Sequence, residues 1–175
     1  MPRNEQPIIQ PINNREYRHA VDFNFYFKVP YGVLIGLESC HGYIDKKGEL
    51  TLTVPPKFTI DGTVRVHVPA EEETDGASVP WVLWSTGFSP MGDHIAGSSM
   101  HDYLYKFRVT RGLQVRCVDV LGNVTWEDLE IHGESDHRRL FADNMFLMGM
   151  VEFQSSWAKR TAFYKAVRTF GGRAY

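Results

Sequence analysis

The stretch "LQVRCVDVLGNVTWEDLEI", residues 113–131, alternates apolar and polar side chains on either side of a Leu-Gly-Asn turn. Alternation with period two assigns one set of side chains to each face of an extended strand, and glycine tolerates the left-handed backbone of a tight turn. The stretch therefore reads as a β-hairpin over about residues 112–131. Its neighbours carry a different period. A helix is expected from Gly92 to about Phe107, with Asp93 near its N-terminus to offset unpaired amides, and a shorter one over 79–87. Two more are expected after the hairpin, over 135–151 and 155–169, the last ended by Gly171-Gly172. On this reading the hairpin is an insertion between helices.

Upstream the pattern is β. "HAVDFNFYFKV" sets Val21, Phe23, Phe25 and Phe27 against Asp22, Asn24, Tyr26 and Lys28, and "YGVLIGL", "GYID", "ELTLTV" and "TVRVHV" follow, separated by turn-forming stretches such as "DKKGE". An antiparallel β meander is expected here. Residues 1–13 hold breakers and no period, so they read as an arm. The fold class is α+β: an arm at 1–13, a β subdomain at 14–70 and a helical subdomain at 71–175, together one compact domain.

A chain of 175 residues, 43% hydrophobic and 13% aromatic, can bury a core without staples. Cys40 and Cys117 lie far apart without metal-ligand spacing and read as two reduced thiols. A net charge of −2 argues against a nucleic-acid binder, although Ser155 to Tyr175 carries five cations and no acid. The N-terminus shows no basic segment followed by an apolar run, and no apolar run is long enough to span a bilayer, so neither a signal peptide nor a membrane span is expected.

The candidate chemistry lies on the helices. Asp143 sits on a helix face with Leu140, Phe146, Leu147 and Met150. A carboxylate in such a stripe needs a partner, because burying an unpaired charge is costly. Arg139, one turn back, is one answer. His101 is the other: Gly97 and Ser98 lie one turn before it and leave room for a second helix to approach, whose Asp would hold one ring nitrogen and leave the other as a base. Asp102 points elsewhere, towards the loop holding Asp75 and Gly76. Two carboxylates and the carbonyls of a turn form an oxygen set suited to Ca²⁺. Alternatively, Asp75-Gly76 is only a tight turn and Asp102 pairs with Lys106.

"TDGASVP" at 74–80, "HDYLY" at 101–105 and "ADNMF" at 142–146, with "AVRTFGG" near the end, resemble a family of phage and prophage proteins catalogued as a domain of unknown function, over about residues 70–172. The same motifs are similar to the bacterial and fungal secreted phospholipases A2. That likeness implies an antiparallel helical core of phospholipase A2 type, carrying the inserted hairpin. It also implies roles: His101 as the base activating water, Asp143 as the residue orienting it, Tyr105 as a supporting phenol, and Asp102 with Asp75 and Gly76 as calcium contacts. Ala77 stands where those enzymes have a cysteine, and neither Cys40 nor Cys117 falls in the motifs.

Two functions follow as expectations. One is a phage-encoded, calcium-dependent hydrolase of phospholipids or other esters, with the basic and aromatic last helix (Trp157, Phe163, Tyr164, Phe170) meeting a membrane surface. The other is a non-catalytic virion or assembly component on the same scaffold, docking on virion proteins or on itself through the arm. Either places the protein in the cytoplasm of an infected cell or in a virion.

Overall fold

The structure, a computed structural model, describes residues 2–12, 16–74 and 92–170. Among these residues the chain forms β1 (Ile9–Pro11), β2 (Tyr17–His19), β3 (Phe23–Lys28), β4 (Tyr31–Val33), β5 (Cys40–Ile44), β6 (Leu50–Val54), β7 (Thr59–Val68) and β8 (Glu73–Thr74). The helix α1 (Ile95–Lys106), the strands β9 (Leu113–Val118) and β10 (Val124–His132), and the helices α2 (Ser135–Glu152) and α3 (Trp157–Phe170) follow.

The hairpin formed by β9 and β10 is not an insertion. It lies in the middle of a seven-stranded sheet with the order β3-β7-β9-β10-β5-β6-β4. The first five residues of β10 pair antiparallel with β9, from Val124↔Val118 to Asp128↔Gln114. Its last four pair in parallel with β5, from Leu129↔Cys40 to His132↔Tyr43. One strand thus changes partner halfway along and joins two strand sets into one sheet. This overturns two expectations, the meander and the phospholipase A2-like helical core with an inserted hairpin. The physical reason is burial. Leu113, Val115, Cys117 and Leu129 are all buried, in the same core as Phe23, Phe25, Phe27, Val64, Val66 and Val68. Outside the sheet that apolar row would face water.

The sheet also curls. Its edge strands, β3 and β4, are separated along the chain by only Val29 and Pro30. There the Val29 N–H donates to the Gly62 carbonyl (3.0 Å) and the Pro30 carbonyl accepts from Leu52 N–H (3.0 Å), handing the chain from β7 to β6. Gly62 makes this crossing possible. It has φ +74°, and a Cβ on it would lie 2.5 Å from the Val29 carbonyl oxygen. It sits where the β7–β9 register shifts, between Ile60 and Val64.

Helices α1 and α2 cover the apolar face of the sheet: Ala96, Met100, Tyr103 and Leu104 from one, Phe141, Ala142 and Met145 from the other, share a core with the strands. The two helices run antiparallel, so the expected helix pairing exists as a layer on a sheet. α3 closes a smaller cluster of Phe146, Met150 and Phe163. The stretch expected as an arm carries β1, which pairs with β2, itself paired with β8. Asn4 secures it, accepting from Tyr26 N–H (2.6 Å) and donating to the Tyr26 carbonyl (3.1 Å). No described helix is long and apolar enough to cross a membrane.

Candidate functional site

Two glycines set the distance between α1 and α2. A Cβ on Gly97 would lie 2.5 Å from the Phe146 carbonyl oxygen, and one on Gly149 would lie 2.6 Å from the Gly97 Cα. Backbones this close bring side chains one turn further along into contact. His101 Nε2 lies 3.0 Å from Asp143 Oδ1, and the Tyr105 hydroxyl donates to the same oxygen at 2.6 Å. The Arg168 guanidinium, from α3, donates to Asp143 Oδ2 at 2.6 Å. Asp143 has no exposed surface and His101 retains 8%.

Arg139 does not take Asp143. Its Nε donates to the Tyr105 hydroxyl (3.3 Å) and its Nη2 to the Arg168 carbonyl (2.8 Å), so it braces the residues that hold the carboxylate. Arg168 was not foreseen as a site residue. No local period links positions 143 and 168. The available signal was a run of five cations without an acid, at least one of which could be expected to turn inward for a partner. The expected membrane face of α3 is partly used up in the same way. Phe163 is buried, Tyr164 donates to Asn144 and Lys159 pairs with Asp93, while Trp157 stays 73% exposed.

The ionisation states follow from these contacts. Burial works against the carboxylate of Asp143, but hydrogen bonds from His101, Tyr105 and Arg168 outweigh it and hold its pKa below the ordinary value. Burial likewise works against the imidazolium of His101, and there the carboxylates of Asp102 and Asp143 win, so its pKa is raised. Tyr105 is pushed up by burial first and then by the carboxylate it faces. With the imidazole neutral, an Nε2 on an ionised carboxylate carries the proton, and Nδ1 carries the lone pair. Nδ1 lies 3.8 Å from Asp102 Oδ1, a separation that one water can bridge.

Asp102 does not pair with Lys106, which donates instead to Glu72 (2.5 Å). Its Oδ2 accepts from the Thr74 hydroxyl (2.5 Å), and its side chain is 22% exposed. Asp75 and Gly76, the other expected calcium contacts, lie outside the described residues. The donors seen at this place are hard oxygens, Asp102 with the Thr74 hydroxyl beside it, which is the class Ca²⁺ takes.

No curated protein and no solved structure matches the chain. A family model does, over residues 50–167, a span that runs from β6 into α3 and includes His101, Asp102, Tyr105, Arg139 and Asp143 but stops just short of Arg168. The chain belongs to the family described as Protein of unknown function (DUF1353).

Proposed function

We propose that the protein is a hydrolase of esters, phospholipids among them, in which His101 is the general base. The observation that carries this reading is the orientation of one imidazole. Nε2 is held by a buried carboxylate at 3.0 Å, while Nδ1 faces Asp102 across 3.8 Å. A base held in one tautomer can take a proton from water bound at Nδ1, and Asp143 stabilises the imidazolium that forms. Tyr105, Arg139 and Arg168 keep the carboxylate fixed while this happens. If Ca²⁺ is bound by Asp102 together with Asp75 and Gly76, it would supply polarisation of the ester carbonyl.

A second reading, the non-catalytic virion or assembly component, is favoured by a different observation. Asp143 accepts from three donors, which is also how a purely structural buried carboxylate is satisfied. The experiment that separates the two follows fatty-acid release from phospholipid vesicles, and hydrolysis of a soluble aryl ester, with and without Ca²⁺. Wild type is expected to turn over, and His101→Ala to lose about 10²-fold or more with its fold intact. Asp102→Asn should lose calcium dependence and calorimetric calcium binding together. Folded wild type that hydrolyses neither substrate would sink the enzyme reading and leave the scaffold.

A further inference from the structure

The parallel pairing of β10 with β5 places three metal-ligating side chains on the outer face of the sheet, away from the His101 site. In this register Glu130 stands opposite His41, and His132, two residues further on, projects on the same side. Cys40 is buried on the opposite face of the same strand. The alternation that feeds the core thus also gathers His41, Glu130 and His132 outside.

Their ligand atoms lie close together, all within 4.8 Å of one another. His41 Nδ1 is 2.8 Å from His132 Nε2 and 3.9 Å from Glu130 Oε2. Four ligands around a zinc ion at bonds of about 2.0–2.1 Å stand about 3.3 Å apart, so the two distances straddle what the ion needs. Side-chain rotation covers the difference, since the Glu130 side chain is 59% exposed.

A second set of contacts points the lone pair of His41 inward. The Ser39 hydroxyl lies 2.5 Å from Glu130 Oε1, and an ionised carboxylate only accepts, so Ser39 donates there. Its oxygen is then free to accept from His41 Nε2 at 3.2 Å. A neutral His41 so arranged carries its proton on Nε2 and turns a bare Nδ1 towards His132. Outer hydrogen bonds that fix the tautomer in this way accompany metal-bound histidines. Tyr43 supports the pair from the side, its ring 4.9 Å from that of His132.

We infer that His41, Glu130 and His132 form a binding site for a divalent transition ion of the zinc class, one that clamps the second half of β10 to β5. Two imidazoles and one carboxylate suit borderline ions, whereas calcium prefers oxygen alone. The bound ion replaces the proton shared between His41 and His132, and its fourth position opens to solvent. This site is independent of the reading given to His101.

The test is calorimetric titration of ZnCl₂ into the chelator-treated full chain, with Co²⁺ spectra alongside. One ion per chain is expected, with a rise in Tm and no displacement by excess Ca²⁺. Binding should be lost in His132→Ala and His41→Ala. In Glu130→Gln it should weaken by at least about the 10-fold that loss of an outer-shell partner costs. His137→Ala, at a histidine paired with Glu134 on α2, should bind as wild type does. Circular dichroism is expected to be unchanged in all four, because none of these side chains belongs to the core. The inference is overturned if wild type takes up no zinc, if His132→Ala binds as tightly as wild type, or if Co²⁺ gives the charge-transfer band of thiolate ligation. The last outcome would move the ion to Cys40 and Cys117.

Discussion

Asp143→Asn is expected to abolish hydrolysis and to destabilise the fold at the same time. The substitution preserves shape but removes the charge and leaves one accepting oxygen for two sides, so the amide cannot serve Arg168 on one side and His101 with Tyr105 on the other, and the hold on the His101 tautomer is lost. Breaking a buried charged pair by removing one partner costs about 3–5 kcal/mol. The lower end is expected here, because the Arg168 side chain is 38% exposed and can rehydrate. Loss of the orienting carboxylate in a comparable triad lowers turnover about 10⁴-fold, so activity should fall more steeply than stability.

The pH dependence of that loss has a definite sign. The folded pKa of Asp143 lies below its ordinary value of 3.8. Its ionised form therefore contributes stability that is present above pH 3.8 and is lost as pH falls through the depressed folded value. Denaturant melts of wild type and Asp143→Asn should differ most at mildly acidic to neutral pH, and the gap should close as the acid limit is approached. An equal gap at all pH values would mean that the carboxyl is not ionised in the folded protein.

Gly97→Ala is the second change with a large expected effect. Alanine is favoured over glycine in a helix by up to about 1 kcal/mol. Against this stands a Cβ placed 2.5 Å from the Phe146 carbonyl oxygen, closer than any real contact. The obstacle is backbone, so no side-chain rotation relieves it, and α1 must move away from α2. Overpacking of this kind costs about 1–3 kcal/mol and should outweigh the propensity gain. The same movement lengthens the His101–Asp143 contact, so the imidazole pKa, followed by NMR, should drop towards 6.5. Gly149→Ala should behave alike, since its Cβ would meet the Gly97 Cα at 2.6 Å. Gly92→Ala is the control: its nearest contact would be 3.5 Å, and little change is expected. A Gly97→Ala protein as stable as wild type would refute the close-approach argument.

Much of the candidate site was legible beforehand, and for a stated reason. A carboxylate on an apolar helix face must find a partner, and small residues beside a histidine let another helix approach. Those two facts pointed to His101 and Asp143 without any knowledge of the sheet. Arg168 escaped because a cation reaching across from a third helix leaves no mark in helical spacing. The cluster of His41, Glu130 and His132 escaped for a related reason: it needs β5 and β10 to be neighbours, and 79 residues of chain lie between the end of β5 at Ile44 and the start of β10 at Val124.

The sequence by itself determined where most of the described strands and helices lie, because alternation and helical period are local and each side chain's face follows from its own neighbours; β1 lay in the stretch read as an arm, and the helix expected over 79–87 falls outside the described residues. It determined too that Asp143 would be buried and in need of a donor. Only the tertiary structure decided which strands are neighbours. Val124–Asp128 pairs with one strand and Leu129–His132 with another, although nothing in the alternation marks the change. Pairing is decided by the core as a whole. The row Leu113, Val115 and Cys117 finds its place between Val64 and Val66 on one side and Leu129 on the other, because there all of it leaves water. A hairpin read alone offers the same pattern whether it stands at the edge of a helical layer or at the centre of a sheet, and the free energy that separates the two belongs to residues far away in the chain.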